Sequence, residues 1–209
     1  MPSQNFSDIA ARAGTAGKIS FFSVITGETI NFPAFVTGFQ DNYTVNWGGE
    51  TVFGRNDPVK HYQSTNRQIQ ASFDILGSDM EEAIDNFKKY SKMIQLLYPV
   101  YSKKIGSSNN ARTIRGAPFW RIKYANYIRS ENANGLLGCL QGISFQPKFE
   151  VGHFVDKNKK LIPISYSMNF TFQPLHESPL GTQAGGKKFL TKNFPYNFKT
   201  PTGGGLSLG

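Results

Sequence analysis

Three histidines and one cysteine are the soft ligands and nucleophiles that this chain could bring to a metal or a substrate. Their spacing supports neither use. His61, His153 and His176 are widely separated and share no ligand spacing with one another or with Cys139. Cys139 lies in the apolar run GLLGCLQGI and reads as a small buried side chain, with no second cysteine for an internal disulfide. Glu50 and Asp57 flank the turn Phe53-Gly54-Arg55 and could be imagined as a glycosidase carboxylate pair. Beside Arg55, however, such carboxylates more often form ion pairs or caps, and Asp57 before Pro58 suits the start of a turn. The sequence has no phosphate loop, no GxSxG turn and no HExxH. No catalytic residue, cofactor or metal ligand is expected.

Charge offers a second kind of chemistry. The net charge of +9 favours polyanions or an acidic protein surface. Lys103 to Arg129 holds seven Lys or Arg residues and no acid, interleaved with Phe119, Trp120, Tyr124 and Tyr127. Single-strand binders combine basic grooves with stacking aromatics in this way. On a strand, however, Trp120, Ile122 and Tyr124 share one face and Arg121 and Lys123 the other. The aromatics then belong to a core, and Arg121 and Lys123 become a basic face for an acidic partner.

The elements that must position these residues are mainly strands. The chain has 18 Phe and 9 Tyr but only 18% charged residues, which suits pleated, aromatic-rich packing. KISFFSVITGETINFPAFVTGF reads as two strands joined at Thr26-Gly27-Glu28, with Pro33 marking an edge or a bulge. NYTVNW is a short strand closed by Gly48-Gly49. From Arg67, Ile69, Ala71, Phe73 and Ile75 alternate with Gln68, Gln70, Ser72 and Asp74. A helix over about 79–98 follows, with Ser78 and Glu81 as a capping box. Its stripe is Met80, Ala83, Ile84, Phe87, Ile94 and Leu97, and Pro99 ends it. Residues 102–118 read as a long loop between the helix and two β segments, APFWRIKYANYI and GLLGCLQGISFQPKFE. In the last strand Ile164, Tyr166, Met168, Phe170 and Phe172 face one way. The expected fold is α+β, mainly β: an antiparallel sandwich or barrel with one packed amphipathic helix. Residues 1–17 form an arm, 18–177 the domain, and 178–209 a basic Gly/Pro-rich arm that orders on a partner. No apolar run reaches the roughly 18 residues of a membrane span, so a soluble chain is expected.

VFGRNDPVKHYQSTNRQIQASFDI, the helix EEAIDNFKKYSKMIQLLYPVY, GLLGCLQGISFQPKFE and IPISYSMNFTFQPLHE carry a resemblance. Over roughly residues 20 to 177 the chain resembles baseplate proteins of contractile-tailed bacteriophages, of the tail tube initiator and tube-like hub type. The resemblance implies a tail-tube-like β domain in a homo-hexameric ring, with neighbouring tail tube, hub and baseplate proteins, in a virion assembled in the host cytoplasm. It also implies polar strand faces lining a channel for DNA or a tape-measure protein, lysines and arginines on outer or ring-to-ring surfaces, and a helix on the outside of its own sheet. The FGRNDP turn becomes an inter-subunit loop, with Phe53, Arg55, Asp57, Tyr62 and Arg67 as interface residues. Two other readings remain: a basic β-barrel that binds nucleic acid, and a cell-wall-degrading hub protein using Glu50 and Asp57.

Overall fold

Strict alternation of bulky and polar side chains makes most of this backbone extended, because each strand can bury one face only. The computed structural model describes residues 17–102, 113–130, 134–185, 189–191 and 193–196. Its elements are β1 (Lys18–Ser23), β2 (Thr29–Pro33), β3 (Phe35–Glu50), β4 (Val59–Leu76), α1 (Met80–Gln95), β5 (Val100–Tyr101), β6 (Ile114–Gly116), β7 (Phe119–Tyr124), β8 (Leu136–Pro147), β9 (His153–Val155), β10 (Leu161–Pro163) and β11 (Ser165–Pro174). A 3-10 turn, Phe149–Val151, follows β8. Seven strands form one antiparallel sheet ordered β2-β1-β7-β8-β11-β4-β3, and β5–β6 and β9–β10 are small side hairpins. The fold is thus α+β and mainly β, with one helix among the described residues. The N-terminal arm at 1–16 and the tail at 197–209 lie outside those residues, as do parts of the basic loop and of the 131–134 connection.

The seven-stranded sheet does not close into a barrel: it is rolled over its own core and left open. Three strands (β7, β8 and β11) separate β1 from β4 in the sheet. Yet Phe21 of β1 lies 6.4 Å from Phe73 of β4 and 5.4 Å from Phe170 of β11, ring centre to ring centre. Twist and coiling bring the two ends of the sheet face to face. Inside are Phe32, Ile69, Ile75, Trp120, Ile122, Met168 and Phe172, each fully or almost fully buried. Among the described residues, β2 and β3 are the outermost strands of the sheet. Pro33 sits on the β2 edge, where its missing N–H costs no ladder bond. Cys139, expected to be buried, is half-buried on the wet side of β8, because Gly138 takes the inward position next to it.

The helix begins one residue later than the Ser78–Glu81 capping box implies. Asp79 is the N-cap, its Oδ1 accepting from the Glu82 backbone N–H at 2.7 Å. Glu82 reaches back to accept from the Ser78 N–H and hydroxyl at 2.9 and 2.6 Å. The buried stripe is also rotated, with Ala83, Asn86 and Met93 at its centre. Met93 belongs to the main core, and Tyr90 stacks on Phe145 at 4.6 Å. The helix therefore closes the mouth of the rolled core, where the resemblance implied a position on the outside of its own sheet. Asn86 escapes notice in the sequence because its burial depends on a tertiary contact: its backbone carbonyl accepts from the Tyr166 hydroxyl at 3.1 Å.

Candidate functional site

β3 and β4 are far longer than the strands they join. β11 accompanies β4 only from Leu76 to Ile69. β3 continues to pair with β4 as far as Glu50 and Val59. Residues 42–50 and 59–68 are consequently a two-stranded arm, roughly 30 Å long at about 3.3 Å per residue. The sequence patterning divides its two sides. Tyr43, Val45 and Trp47 lie on one side, opposite Arg67, Thr65 and Tyr62. The other side carries Asn42, Thr44, Asn46, Ser64, Asn66 and Gln68. A register shift between Asn46 and Trp47 brings Tyr62 opposite Trp47, where their rings meet edge to face at 5.8 Å. Both rings are 57% exposed, and Val45 and Val59 are exposed beside them. Such a side is more apolar than an isolated ribbon in water would need.

The tip is the Val52–Asp57 turn. Arg55 donates its backbone N–H to the Val52 carbonyl at 3.2 Å, and Gly54 takes φ +84°, which favours glycine. Phe53 is fully exposed. Arg55, Asp57 and Glu50 are also exposed, and none of them has a side-chain partner among the described residues. The four tip and arm residues Phe53, Arg55, Asp57 and Tyr62 therefore lie on a surface open to contact. Glu50 and Asp57 stand in solvent on the flanks of the turn, away from the enclosure a glycosidase would use to tune its acid.

Arg67 has a different place from the one expected of an interface residue. Its side chain is 2% exposed at the root of the arm. Nε and Nη2 donate to Asp41 at 2.9 and 2.7 Å, and the guanidinium lies 5.3 Å from the ring centres of both Tyr43 and Phe194. Asp41 also accepts from the Tyr43 and Tyr196 hydroxyls at 3.1 and 3.0 Å. Burial pushes the Tyr43 hydroxyl far above its ordinary value, aided by Asp41 and opposed by the Arg67 charge. Burial holds the nearby His176 imidazole below its ordinary value, and the Arg67 charge adds to this against Asp41. Phe194 and Tyr196 come from the C-terminal segment, so part of the expected arm at 178–209 is docked across the root of the hairpin. Asp41, Tyr43, Trp47, Phe194 and Tyr196 are the residues that sequence reasoning missed. The aromatic alternation in NYTVNW was visible, but the pairing of Asp41 with Arg67 depends on a register fixed only by the distant turn.

On β7, Trp120 and Ile122 point into the core and Arg121 and Lys123 to the wet face. Arg121 is engaged by Glu177, donating from Nη1 and Nη2 at 2.7 and 2.6 Å. This clamp raises the Arg121 pKa and lowers that of Glu177. Lys123 is exposed without a described partner. Between β8, β11 and β4 the wet face is a neutral carpet. Gln70 donates to Gln68, Gln68 to Gln141 and Gln141 to Gln173, at 3.3, 2.9 and 2.7 Å. Asn169 donates to Ser144 at 3.1 Å. Asp74 at the far end is held by Lys148 and Ser167.

No protein-family model and no curated protein matches this chain. Among solved structures it is similar to the crystal structure of the Dit protein of phage SPP1, described as a paradigm of the hub adsorption apparatus in phages that infect Gram-positive bacteria. The TM-score is 0.40 and the identity 10%, over 78% of this chain and 52% of that one. The chain thus spans about half the length of that structure.

The described residues contain no group of three or more His, Cys, Asp or Glu that could hold a metal ion. His61 lies across Gly48, where a Cβ would stand 2.2 Å from its Nε2, so its ring serves the packing of the arm. What the surface of the described residues offers is contact: an aromatic arm side, an open tip, two outer strands and a largely neutral polar face.

Proposed function

We propose that this chain is a non-enzymatic structural subunit of a phage tail, a ring-forming component of a contractile-tail baseplate that initiates or caps the tail tube. The observation that carries the reading is the arm: a ribbon of roughly 30 Å leaving the core with its Trp47–Tyr62 side open to solvent. A ribbon of two strands is marginal by itself, and an exposed aromatic side is what a neighbouring subunit would cover. The sequence resemblance at VFGRNDPVKHYQSTNRQIQASFDI supports the same assignment, because that stretch is the tip and inner strand of the arm.

In this reading subunits form a homo-hexameric ring through the outer strands β2 and β3, and the arm reaches the next subunit or ring. Ring closure covers exposed sheet edges, which otherwise invite uncontrolled pairing. The β8–β11–β4 face turns toward the channel. Apart from Lys148 at one end, which is paired with Asp74, its amides and hydroxyls offer hydrogen bonds without cations, so passing DNA would meet little phosphate attraction there. The function is templating: the ring fixes where the next tube ring, hub or baseplate protein stacks.

Sedimentation velocity and electron microscopy of the chain, alone and with its tail partners, test this directly. Rings are expected from the wild type, and Trp47→Ser and Phe53→Ser should leave a folded subunit with weakened assembly. A compact monomer in every context would overturn the proposal. Nucleic-acid binding through the basic face is less favoured, because Arg121 is already committed to Glu177.

A further inference from the structure

The end of the sheet opposite the arm carries an apolar patch that the subunit leaves uncovered. β10 leads directly into β11, whose first residue, Ser165, pairs with Leu76 at the end of β4. The β9–β10 hairpin therefore sits at that end. Its inner side is pinned, with Ile162 buried and β10 packed against α1. Its outer side pairs Val155 with Leu161, which are 61% and 65% exposed. His153 shares the Val155 side by alternation, and the Phe149 ring, 74% exposed, lies 5.1 Å from it, ring centre to ring centre. The wet side of a hairpin is ordinarily polar, so nothing within one subunit accounts for three large apolar groups there.

Charges of opposite sign border the patch. The hairpin turn carries Lys157, Lys159 and Lys160, all exposed, and none forms an ion pair among the described residues. The turn is held by the Lys159 N–H, which donates to the Asp156 carbonyl at 2.8 Å, and by the Asp156 N–H, which donates to the Lys160 carbonyl at 3.0 Å. At the base of the hairpin the Gly77 N–H donates to the Ile164 carbonyl at 2.9 Å, which sets the start of α1 beside the end of β10. That start holds Asp79, Glu81, Glu82 and Asp85 with no Lys or Arg among them. Glu81 is exposed and forms no ion pair among the described residues.

We propose that this patch binds the same patch on a second copy of the chain, about a two-fold axis. Phe149, Val155 and Leu161 of both copies form the centre, and the lysine turn of each copy meets the acidic helix start of the other. A two-fold contact must be self-complementary, and an apolar centre with a basic edge at one end and an acidic edge at the other fits itself. The net charge of +9 opposes the pairing of copies, but distant charges are screened over about 8 Å at physiological salt, while the edge charges meet at contact. The contact is separate from the arm and from the outer strands β2 and β3, and it does not depend on them.

Sedimentation velocity of the full chain from about 1 μM to about 1 mM, at low and at high salt, tests this. The wild type should pair, and the pairing should weaken as salt rises. Leu161→Ser should weaken it about tenfold without moving the urea midpoint, because the side chain is exposed in the subunit. Lys157→Glu/Lys160→Glu and Glu81→Lys/Asp85→Lys should each weaken it about tenfold when alone, since like charges then face each other. A mixture of these two charge variants should pair as the wild type does, because each edge again meets its opposite. A role confined to one subunit would give no such rescue. Where other contacts also form rings, Leu161→Ser should part paired rings and leave single rings intact, so the two kinds of contact fail separately. A mixture that does not pair, association unchanged by Leu161→Ser, or a monomer at every concentration would overturn the proposal, the last leaving the patch to a different protein.

Discussion

Removing Arg67 should unfold the chain long before it alters any surface. The side chains of Arg67 and Asp41 are 2% and 3% exposed, so neither can exchange its partner for water. In Arg67→Met the Asp41 carboxylate keeps only the Tyr43 and Tyr196 hydroxyls, and it loses two charge-assisted bonds of 2.9 and 2.7 Å. Breaking one side of a buried pair costs about 3–5 kcal/mol. The guanidinium contacts with Tyr43 and Phe194 add to the upper half of that range. For a chain of this size the corresponding fall in Tm is roughly 6–20 °C. Asp41→Asn should cost a similar amount, because Arg67 already has Nη1 buried without a partner. The double variant Arg67→Met/Asp41→Leu should recover much of the loss, since replacing both charges removes both desolvation penalties. Urea unfolding followed by tryptophan fluorescence and circular dichroism measures all three variants. Single losses below about 1 kcal/mol, or strictly additive effects in the double variant, would refute the assignment of a buried structural clamp.

Three further outcomes follow from local geometry. Asp79→Ala should destabilise by about 1 kcal/mol through the lost N-cap, and Ser78→Ala by less, as read from urea midpoints. Gly138→Ala should cost about 1–3 kcal/mol, because its Cβ would stand 2.2 Å from the Gln173 carbonyl oxygen in the neighbouring strand; a neutral result would mean that this strand pair yields easily. Burial alone would raise the Asp74 pKa, but hydrogen bonds from Lys148 and Ser167 and the Lys148 charge hold it below its ordinary 3.8. The stability that Asp74 contributes is therefore present above about pH 3.8 and lost as pH falls through its lowered folded value, and Asp74→Asn should flatten that part of the acid unfolding curve.

Alternation made β4 from Arg67 onward and β11 legible, because each buries one face against the core and every second residue reports it. The arm was less legible. Residues 59–66 bury neither face in the subunit, so hydrophobic periodicity had no core to record, and the strand was expected to begin at Arg67. The same absence made the turn at Val52–Asp57 resemble a loop between separate strands, when it is the tip of one continuous hairpin. Helix existence followed from apolar spacing and caps, but its orientation did not. Asn86 and Met93 face the core because Tyr166 and Phe145 lie there, and nothing within the helix announces those partners. The Asp41–Arg67 clamp was hidden for a related reason. It joins residues 26 positions apart through a register that depends on the arm's full length.

The position of that clamp bears on how the arm could work. A two-stranded ribbon that wandered freely at its root would lose orientational freedom on docking, and that ordering cost would subtract from any contact made at Trp47, Tyr62 or Phe53. Asp41, just before the ribbon, and Arg67, among its first pairs, are tied to each other, and Phe194 and Tyr196 tie both to the C-terminal segment. The arm therefore leaves the core at an angle set before any partner arrives, with its tip free to adjust. Perturbing the tip and perturbing the root should then separate. Arg55→Glu with Asp57→Lys changes exposed groups without described partners, so it should shift stability by less than about 0.5 kcal/mol while weakening self-association. Tyr196→Phe removes one hydrogen bond to Asp41 and should cost about 1 kcal/mol, with a matching loss of assembly because the arm's root loosens. Parallel sedimentation and urea measurements decide the matter. If the tip variant assembles like the wild type while Tyr196→Phe does not, the contact lies at the root, and the tip is only a connection between two strands.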